Sequence, residues 1–540
     1  MHANTAKQAR EASKAETTVE IYDKGVLLGT TMTDADGNWS LVIDSLAIST
    51  HVLTARALGV VSSPYSFGVI SPARRLKIRG ARANRTTWRA YSTSRLLTAM
   101  DAFTSEPVTC EWRYQGDTDW TSSSRFFDTR PDLPLDARLD GEEVTLNPAN
   151  IFGNGYQEAI TYGAQIALRD IGDVVGWGKD TYGAELDPNL ITLRDIVEVS
   201  ATNNAFAARR AGGEIAVWGN KTDGGSLDSD IPNENFVHVC GNTHAFAGLK
   251  SDGSVVAWGS DGYGGKIDPA DGVIGLTDIK KVVGMGACFT ALRANGSVVA
   301  WGYDGEGGKI DDPIIGLTDI VDITANRYAL AALRADNHVV SWGRDADGGI
   351  VPVDIARMDD ITSLAASTGY AFAVLRADNS VVAWGSKNYG GSVPPTIAGL
   401  RDIIEVVGSW RAFIALRSTG QIVGWGTPLT GLIPEAVARL DDIVQVACTA
   451  QAYAVLRRDG SVIAWGPKAA GGDLSAVASE LVDVRAVYSN NQSFAALTSA
   501  GKVVTWGATS GGGDSRSVAA LLNDRVLYEK HQETTTTTGL

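Results

Sequence analysis

Residues 245–259 read Ala245-Phe-Ala-Gly-Leu-Lys-Ser-Asp-Gly-Ser-Val-Val-Ala-Trp-Gly259, two short apolar runs joined by an Asp-Gly pair. Runs of this length read as strands, and Asp-Gly between them signals a tight hairpin because both residues tolerate positive φ. The phrase returns as Ala452-Tyr-Ala-Val-Leu-Arg-Arg-Asp-Gly-Ser-Val-Ile-Ala-Trp-Gly466. Its closing Trp-Gly occurs at Trp177, Trp218, Trp258, Trp301, Trp342, Trp384, Trp425, Trp465 and Trp506, spaced 40 to 43 residues apart. Nine of the fourteen tryptophans therefore sit on one period, the mark of a repeat architecture. Within a copy, Asp319-Ile-Val-Asp-Ile323, Ala329-Leu-Ala-Ala-Leu333 and His338-Val-Val-Ser-Trp342 read as three antiparallel strands. A short fourth strand is expected after the Gly-Gly, as at Lys266-Ile-Asp268. The second run is apolar on both faces and rich in Ala, as required of a small sheet pressed between two neighbours. The fold class expected is all-β, a β-propeller of nine repeats over residues 155–529.

The rest of the composition narrows the function. The chain has 540 residues with 47 Lys+Arg against 62 Asp+Glu, a net charge of −15 that argues against a nucleic-acid scaffold. No stretch offers the roughly eighteen apolar residues of a membrane helix, so no membrane span is expected. Cys110, Cys240, Cys288 and Cys448 lie far apart and form no CxxC or other zinc spacing. The first residues lack an apolar core, so no secretory signal is recognised.

The phrase Leu-Arg/Lys-x-Asp-Gly-x-Val-x-x-Trp-Gly lacks the Gly-His and Trp-Asp signatures of the WD class and resembles the repeat of the regulator of chromosome condensation superfamily. Its compact copies are most similar to the bacterial branch that includes the beta-lactamase-inhibitory propeller. The resemblance implies protein binding through face loops, and a seven-bladed ring as the alternative to nine blades.

Upstream, Thr17 to about residue 70 alternates apolar and polar residues and carries Asp34, Gly37 and Trp39. It resembles part of a bacterial immunoglobulin-like domain, which implies a secreted or cell-surface protein. Residues 1–16 are expected to be a disordered leader and 530–540 a disordered Thr-rich tail. Residues 74–150 form a small basic β-module: Arg74, Arg75, Lys77, Arg79, Arg82, Arg85, Arg89 and Arg95 fall in it with no acid between them. Interleaved aromatics at Trp88, Tyr91, Trp112, Tyr114 and Trp120 formally invite a nucleic-acid reading. Docking of these cations on an acidic propeller is the simpler account.

Motifs for catalysis are missing. No Gly-x-Ser-x-Gly elbow, His-Glu-x-x-His pair or phosphate loop occurs, so a non-enzymatic protein without cofactor is expected, with a propeller hydrolase the remote alternative. His238, Cys240 and His244 form at best a weak metal trio, because 238 and 240 share a strand face while 244 lies past the turn. His244 is read as bracing that turn. Asp34-Ala-Asp-Gly37 and Asp345-Ala-Asp-Gly348 open like calcium loops but lack the closing Glu, and Asp261, Asp268, Asp304, Asp311, Asp312, Asp345 and Asp347, in three consecutive copies, leave a weak cation site as the alternative. No metal is assigned.

Comparison of the nine copies supplies the positive signal. The turn between strands two and three hardly varies, whereas turns one-two and three-four, which share the other face of the disc, vary strongly. Tyr182, Asp223, Tyr263, Glu306, Asp347, Tyr389, Thr430, Ala470 and Gly511 stand five residues after each Trp. Asn203-Asn204, Thr243-His244, Asn326-Arg327, Trp410-Arg411 and Asn490-Asn491-Gln492 occupy turn one-two. The partner-binding set is therefore Tyr182, Tyr263, Glu306, Arg327, Asp347, Tyr389, Trp410 and Arg411, suited to a protein partner, with a carbohydrate partner as the alternative. Ring closure is expected from residues 524–529 pairing with the first copy near Ile160–Ile166.

Overall fold

The computed structural model describes all residues except 1–16, 24–25, 36–38, 40, 42–49, 59, 63–64, 69–74, 84–92, 156–161, 311, 428–432 and 532–540. The expectations for the leader, for the tail beyond His531, and for Arg74, Arg85, Arg89, Trp88, Tyr91, Ile160, Asp311 and Thr430 lie outside the described residues. The chain divides into two compact units, residues 1–75 and 76–540. In the first, Thr18–Asp23, Val26–Met32, Thr50–Ala57, Val60–Val61 and Tyr65–Gly68 form a five-stranded antiparallel sheet. Val19, Ile21 and Leu53 make its small core, and Trp39 packs against them.

In the second unit, nine successive three-stranded antiparallel sheets form the blades, from Ile151–Gly153, Ala164–Leu168 and Val174–Gly178 in blade 1 to Val484–Ser489, Ser493–Thr498 and Val503–Gly507 in blade 9. First strands of neighbouring blades lie side by side and line the inside of the ring. In seven of the nine blades the repeated Trp is hydrogen-bonded to the neighbouring blade, and at Trp342 and Trp465 the buried indole N–H has no such partner among the described residues. Trp301 is fully buried and faces Phe289 of its own second strand, ring centroids 5.3 Å apart. Its indole N–H donates to the Gly264 carbonyl of the preceding blade at 3.0 Å. The same bond joins Trp218 to Gly183, Trp258 to Gly224, Trp384 to Gly348, Trp425 to Gly390 and Trp506 to Gly471. Glycine is required at the acceptor for two reasons. At Gly348 φ is +104°, and a Cβ there would lie 2.9 Å from the Phe372 ring.

The fourth strand expected at Lys266–Asp268 does not form. A 3-10 turn at Asp261–Tyr263 and a bend replace it, because Gly264 and Gly265 curl the chain back over the blade end, and a second turn, Pro269–Asp271, is capped by Asp268. The hairpin side is more regular than expected. The Arg closing each second strand pairs with the Asp ahead of the first: Arg293 with Asp278, Arg334 with Asp319, Arg376 with Asp360, Arg417 with Asp402 and Arg457 with Asp442, at 2.7 to 3.0 Å.

Closure follows a different route from the expected one. Blade 1 already owns a first strand, Ile151–Gly153, paired with Ala164–Leu168, so residues 524–529 have no place there. The ring closes through side chains and turns instead: Trp177 Nε1 donates to the Gly512 carbonyl of blade 9 at 2.9 Å, and Gln165 Nε2 to Ser493 Oγ at 2.8 Å. The last strand, Glu529–His531, pairs antiparallel with Glu142–Leu146, the strand that leads into blade 1. The two ends of the ring are thereby strapped together through the basic module.

That module comprises a three-stranded sheet of Leu76–Arg79, Leu96–Asp101 and Arg125–Phe127, and a second sheet of Cys110–Tyr114, Thr121–Ser123, Leu135–Leu139, Glu142–Leu146 and the strap. It packs on the hairpin side of the ring. Lys77 and Arg79 both bind Asp483, at 2.8 and 2.7 Å, and Arg79 is 2% exposed. Arg82 is used inside the module, paired with Asp128 at 2.8 Å. Ser94 N–H donates to the Val446 carbonyl at 2.9 Å, and Ser94 Oγ to the Glu405 carboxylate. Trp112 and Leu97 share one apolar core with Trp177, Tyr488 and Leu497.

Candidate partner-binding face

Turns one-two and three-four do share one side of the ring, and the structure shows what joins them. In seven blades a polar residue after the first strand donates to the carbonyl of the residue five after the Trp. Asn154, Asn242, Asn326 and Asn490 reach Tyr182, Tyr263, Asp347 and Gly511 at 2.6 Å, while Thr202, Thr368 and Thr449 reach Asp223, Tyr389 and Ala470 at 3.0 Å. Part of turn one-two, read above as free to vary, is thus a buried brace. Asn203, Thr243, Asn490, Asn491 and Gln492 are all buried. Comparing side chains alone conceals this, because Asn and Thr perform the same donation.

The sequence-selected residues separate into two groups. Tyr182 and Tyr263 are half-buried and each meets a ring of its own blade, Tyr182 beside Tyr162 at 5.9 Å and Tyr263 under the His244 ring at 4.2 Å. His244 therefore braces a tyrosine rather than a metal, and His238 and Cys240 do not join it: His238 Nδ1 lies 2.6 Å from Glu198, and Cys240 is buried. Among the described residues no group of three or more His, Cys, Asp or Glu is placed to hold a metal.

Glu306, Arg327, Asp347, Tyr389, Trp410 and Arg411 come together although they span four blades. Tyr370 joins them, stacked on Tyr389 at 4.3 Å and edge-on to Trp410 at 5.0 Å, and Tyr328 lies 5.4 Å from Tyr370. Guanidinium groups cover the rings: Arg344 over Tyr328 at 3.5 Å, Arg327 over Tyr328 and Trp410 at 5.0 and 5.6 Å, and Arg411 over Tyr389 at 5.4 Å. Such contacts each supply about 0.5–1 kcal/mol when partly exposed and fix the guanidinium planes. Two members differ from the expected exposure. Trp410 is 3% exposed, because Gly369 and Ala450 on the flanking blades leave room for its indole and a Cβ at Gly369 would meet it at 2.5 Å. Asp347 is also buried, held by Arg344 Nε. Burial raises the Glu306 carboxyl above its usual value despite the neighbouring Arg327 and Arg344, and raises Asp347 likewise against Arg344. Tyr328, Tyr370 and Arg344 escaped the sequence reading, which took the position five after Trp and a few turn one-two residues; Tyr328 and Tyr370 occupy the turn residue next to Arg327 and Gly369.

The inner wall carries a second polar set. In the first strand of blades 2 to 8 a register shift directly precedes Glu198, His238, Lys281, Asp322, Ser363, Glu405 and Gln445. Neighbours pair across blades: His238 with Glu198, and Lys281 with Asp322 at 2.6 Å. Burial disfavours the charged imidazole of His238, but the Glu198 carboxylate outweighs it and its pKa is raised.

No protein-family model and no curated protein matches the chain. Solved structures do resemble it. The ectodomain of the receptor kinase CR4 from Physcomitrella patens is 17% identical over 54% of this chain and 77% of that chain, with a TM-score of 0.35. Prp20p from Saccharomyces cerevisiae, studied with its binding to Gsp1p and histones, is 16% identical over 60% and 82%, with a TM-score of 0.33. The same yeast protein, RCC1 (Prp20), in complex with Kap60 gives 14% identity over 72% and 86%, again with a TM-score of 0.33.

Proposed function

We propose that this chain is a non-catalytic interaction protein that holds a macromolecular partner, most simply a protein, on the face formed by turns one-two and three-four. The observation that carries the reading is the array of Tyr328, Tyr370, Tyr389 and Trp410 under Arg327, Arg344 and Arg411, gathered from separate blades. Aromatic and arginine side chains held rigid by their own stacking lose little entropy on binding and are the residue types that dominate interface energetics. The buried Trp410 and Asp347 serve as its foundation, while the half-buried Tyr389, Arg411, Arg327 and Glu306, with Tyr182 and Tyr263 around the ring, offer the contact surface. The described ion pairs and hydrogen bonds of the basic module with the blade hairpins fall on the other face. A carbohydrate partner at the same tyrosines remains the alternative, and a glycan array with the full chain separates the two. The test is affinity capture with the full chain and its Tyr389→Ala/Arg411→Ala variant. A partner retained by the first and lost by the second, with both proteins equally folded, supports the reading; equal retention contradicts it.

A further inference from the structure

The basic module is held to the ring partly by its main chain. The first strand of every blade is an edge strand, hydrogen-bonded within its sheet only to the second, so its other edge is open to the inside of the ring. Two of these edges carry module residues. In blade 8 the Ser94 N–H donates to the Val446 carbonyl at 2.9 Å and Thr93 bridges Ala447 antiparallel, and in blade 9 the Gly80 N–H donates to the Arg485 carbonyl at 2.9 Å. Blades 6 and 7 differ, since among the described residues no main-chain bond joins them to the module. A cavity of about 460 Å³ lies there instead, within the range of about 300–1,000 Å³ usual for ligand sites.

Much of its wall is main chain. Residues 362–365 of blade 6 and 403–406 of blade 7 line it without a gap. Side chains of a strand alternate between its two faces, so a wall of four successive residues on each of two strands presents backbone as well as side chains. The strand of blade 6, Ile361–Ser367, has seven residues where those of blades 2–5 and 7–9 have six. Its register shifts between Ser363 and Ala366, which leaves Leu364 and Ala365 without a register partner on the second strand. A bulge of this kind takes main-chain groups out of the ladder. Charge of both signs reaches the wall through Arg95, Asp322 and Glu405, of which Glu405 accepts from Ser94 Oγ and the Arg95 N–H, and Asp322 from Lys281 Nζ. Phe127 of the module, 44% exposed, adds an apolar ring.

We infer that this cavity receives an extended peptide segment of a partner protein, which adds its main chain to the inner edge of Ile361–Ser367 as Thr93 and Ser94 add theirs to blade 8. Strand addition draws its affinity from main-chain hydrogen bonds and its selectivity from alternate side chains. Four residues of extended chain span about 13 Å, the length that four successive wall residues offer. Because the wall carries both signs of charge, it demands no net charge of the segment; it favours an apolar side chain opposite Phe127. Arg95 and Phe127 come from the module, so the site exists only where module and ring are docked, and it is independent of the partner-binding face.

The test is an array of capped hexapeptides alternating apolar and polar residues, probed with the full chain, with the strongest binder then measured by calorimetry. Its affinity should fall about tenfold or more when alternate residues are N-methylated, in at least one of the two phases, because that removes main-chain donors and keeps the side chains. It should fall as far against Phe127→Ala and against Thr362→Trp, which fills the cavity, while Asp252→Ala on the hairpin turn of blade 3 leaves it unchanged. Phe127 and Thr362 are exposed, so both variants should keep the wild-type melting curve. Failure of every hexapeptide to bind, equal affinity of both N-methylated forms, or undiminished affinity for Phe127→Ala and Thr362→Trp would each overturn the assignment.

Discussion

On the hairpin side of the ring, Arg293, Arg334, Arg376, Arg417 and Arg457 make the same ion pair in five consecutive blades, and Asp252, Asp378 and Asp459 each accept from the Ser two residues on. On the opposite side the backbone is equally regular, with seven repeated donations to the residue five after the Trp, but the side chains differ blade by blade. The hairpin face uses its side chains to hold its own shape, and the module contacts it at Ser418, Arg458 and Asp483. The other face is held from beneath by Asn and Thr, which leaves its side chains free to differ from blade to blade. Sameness of backbone with variety of side chains is what a scaffold for binding requires.

The largest effect that sharpens this contrast concerns the layer both faces share. Trp301→Ala should lower stability by about 3–5 kcal/mol in denaturant unfolding, since it empties a fully buried site and removes an interblade hydrogen bond. Trp410→Ala, on the variable face, should come close, at about 2–4 kcal/mol, because that indole is as buried as the repeated ones. A loss under about 0.5 kcal/mol for Trp410→Ala would return it to the recognition surface.

Next comes the strap. Removing residues 529–540 deletes the strand on Glu142–Leu146 and the Arg485–Glu529 ion pair. The melting temperature should fall by a few degrees, in the range of about 1–2 kcal/mol, and an unchanged curve would show that closure needs only the Trp177–Gly512 seam.

The smallest effect is pH-dependent. Burial on its own raises the Asp483 carboxyl, but Lys77 and Arg79 overcome it and hold it well below the usual carboxylate range. A depressed folded pKa means the contribution is complete above the unfolded value of about 3.9 and is lost as pH falls toward the folded one. Asp483→Ala should therefore cost about 1 kcal/mol at neutral pH, modest because the carboxylate is a third exposed, and its difference from wild type should shrink in acid. A difference that grows on acidification would contradict the pairing.

Much of this architecture is legible from residues 245–259 and their copies, because hairpin chemistry, strand length and a Trp-Gly period are local properties. The blade count and the strand triplet follow directly. The fourth strand was misread because Ile267 between polar neighbours imitates a strand, while the glycine pair before it sets the chain direction. Closure was misread for a different reason: Leu522 to Tyr528 repeats the first-strand phrase, and nothing local reveals that Ile151–Gly153 already fills that place. For the proposed site, position five after Trp and turn one-two lead to one face, where six of the eight chosen residues come together. The side chain of Trp410 could not be placed from its own blade, since the space it fills is made by Gly369 and Ala450 on the two neighbours.

The contrast between the faces is tested most directly by measuring one captured partner's affinity for four variants of the full chain: Tyr389→Ala and Arg411→Ala on the variable face, Asp252→Ala and Asp459→Ala on the hairpin face. The account predicts losses of about 1–4 kcal/mol for the first two and no more than about 0.5 kcal/mol for the others, with all four melting near the wild type. Equal losses on both faces, or losses only for Asp252→Ala and Asp459→Ala, would contradict it.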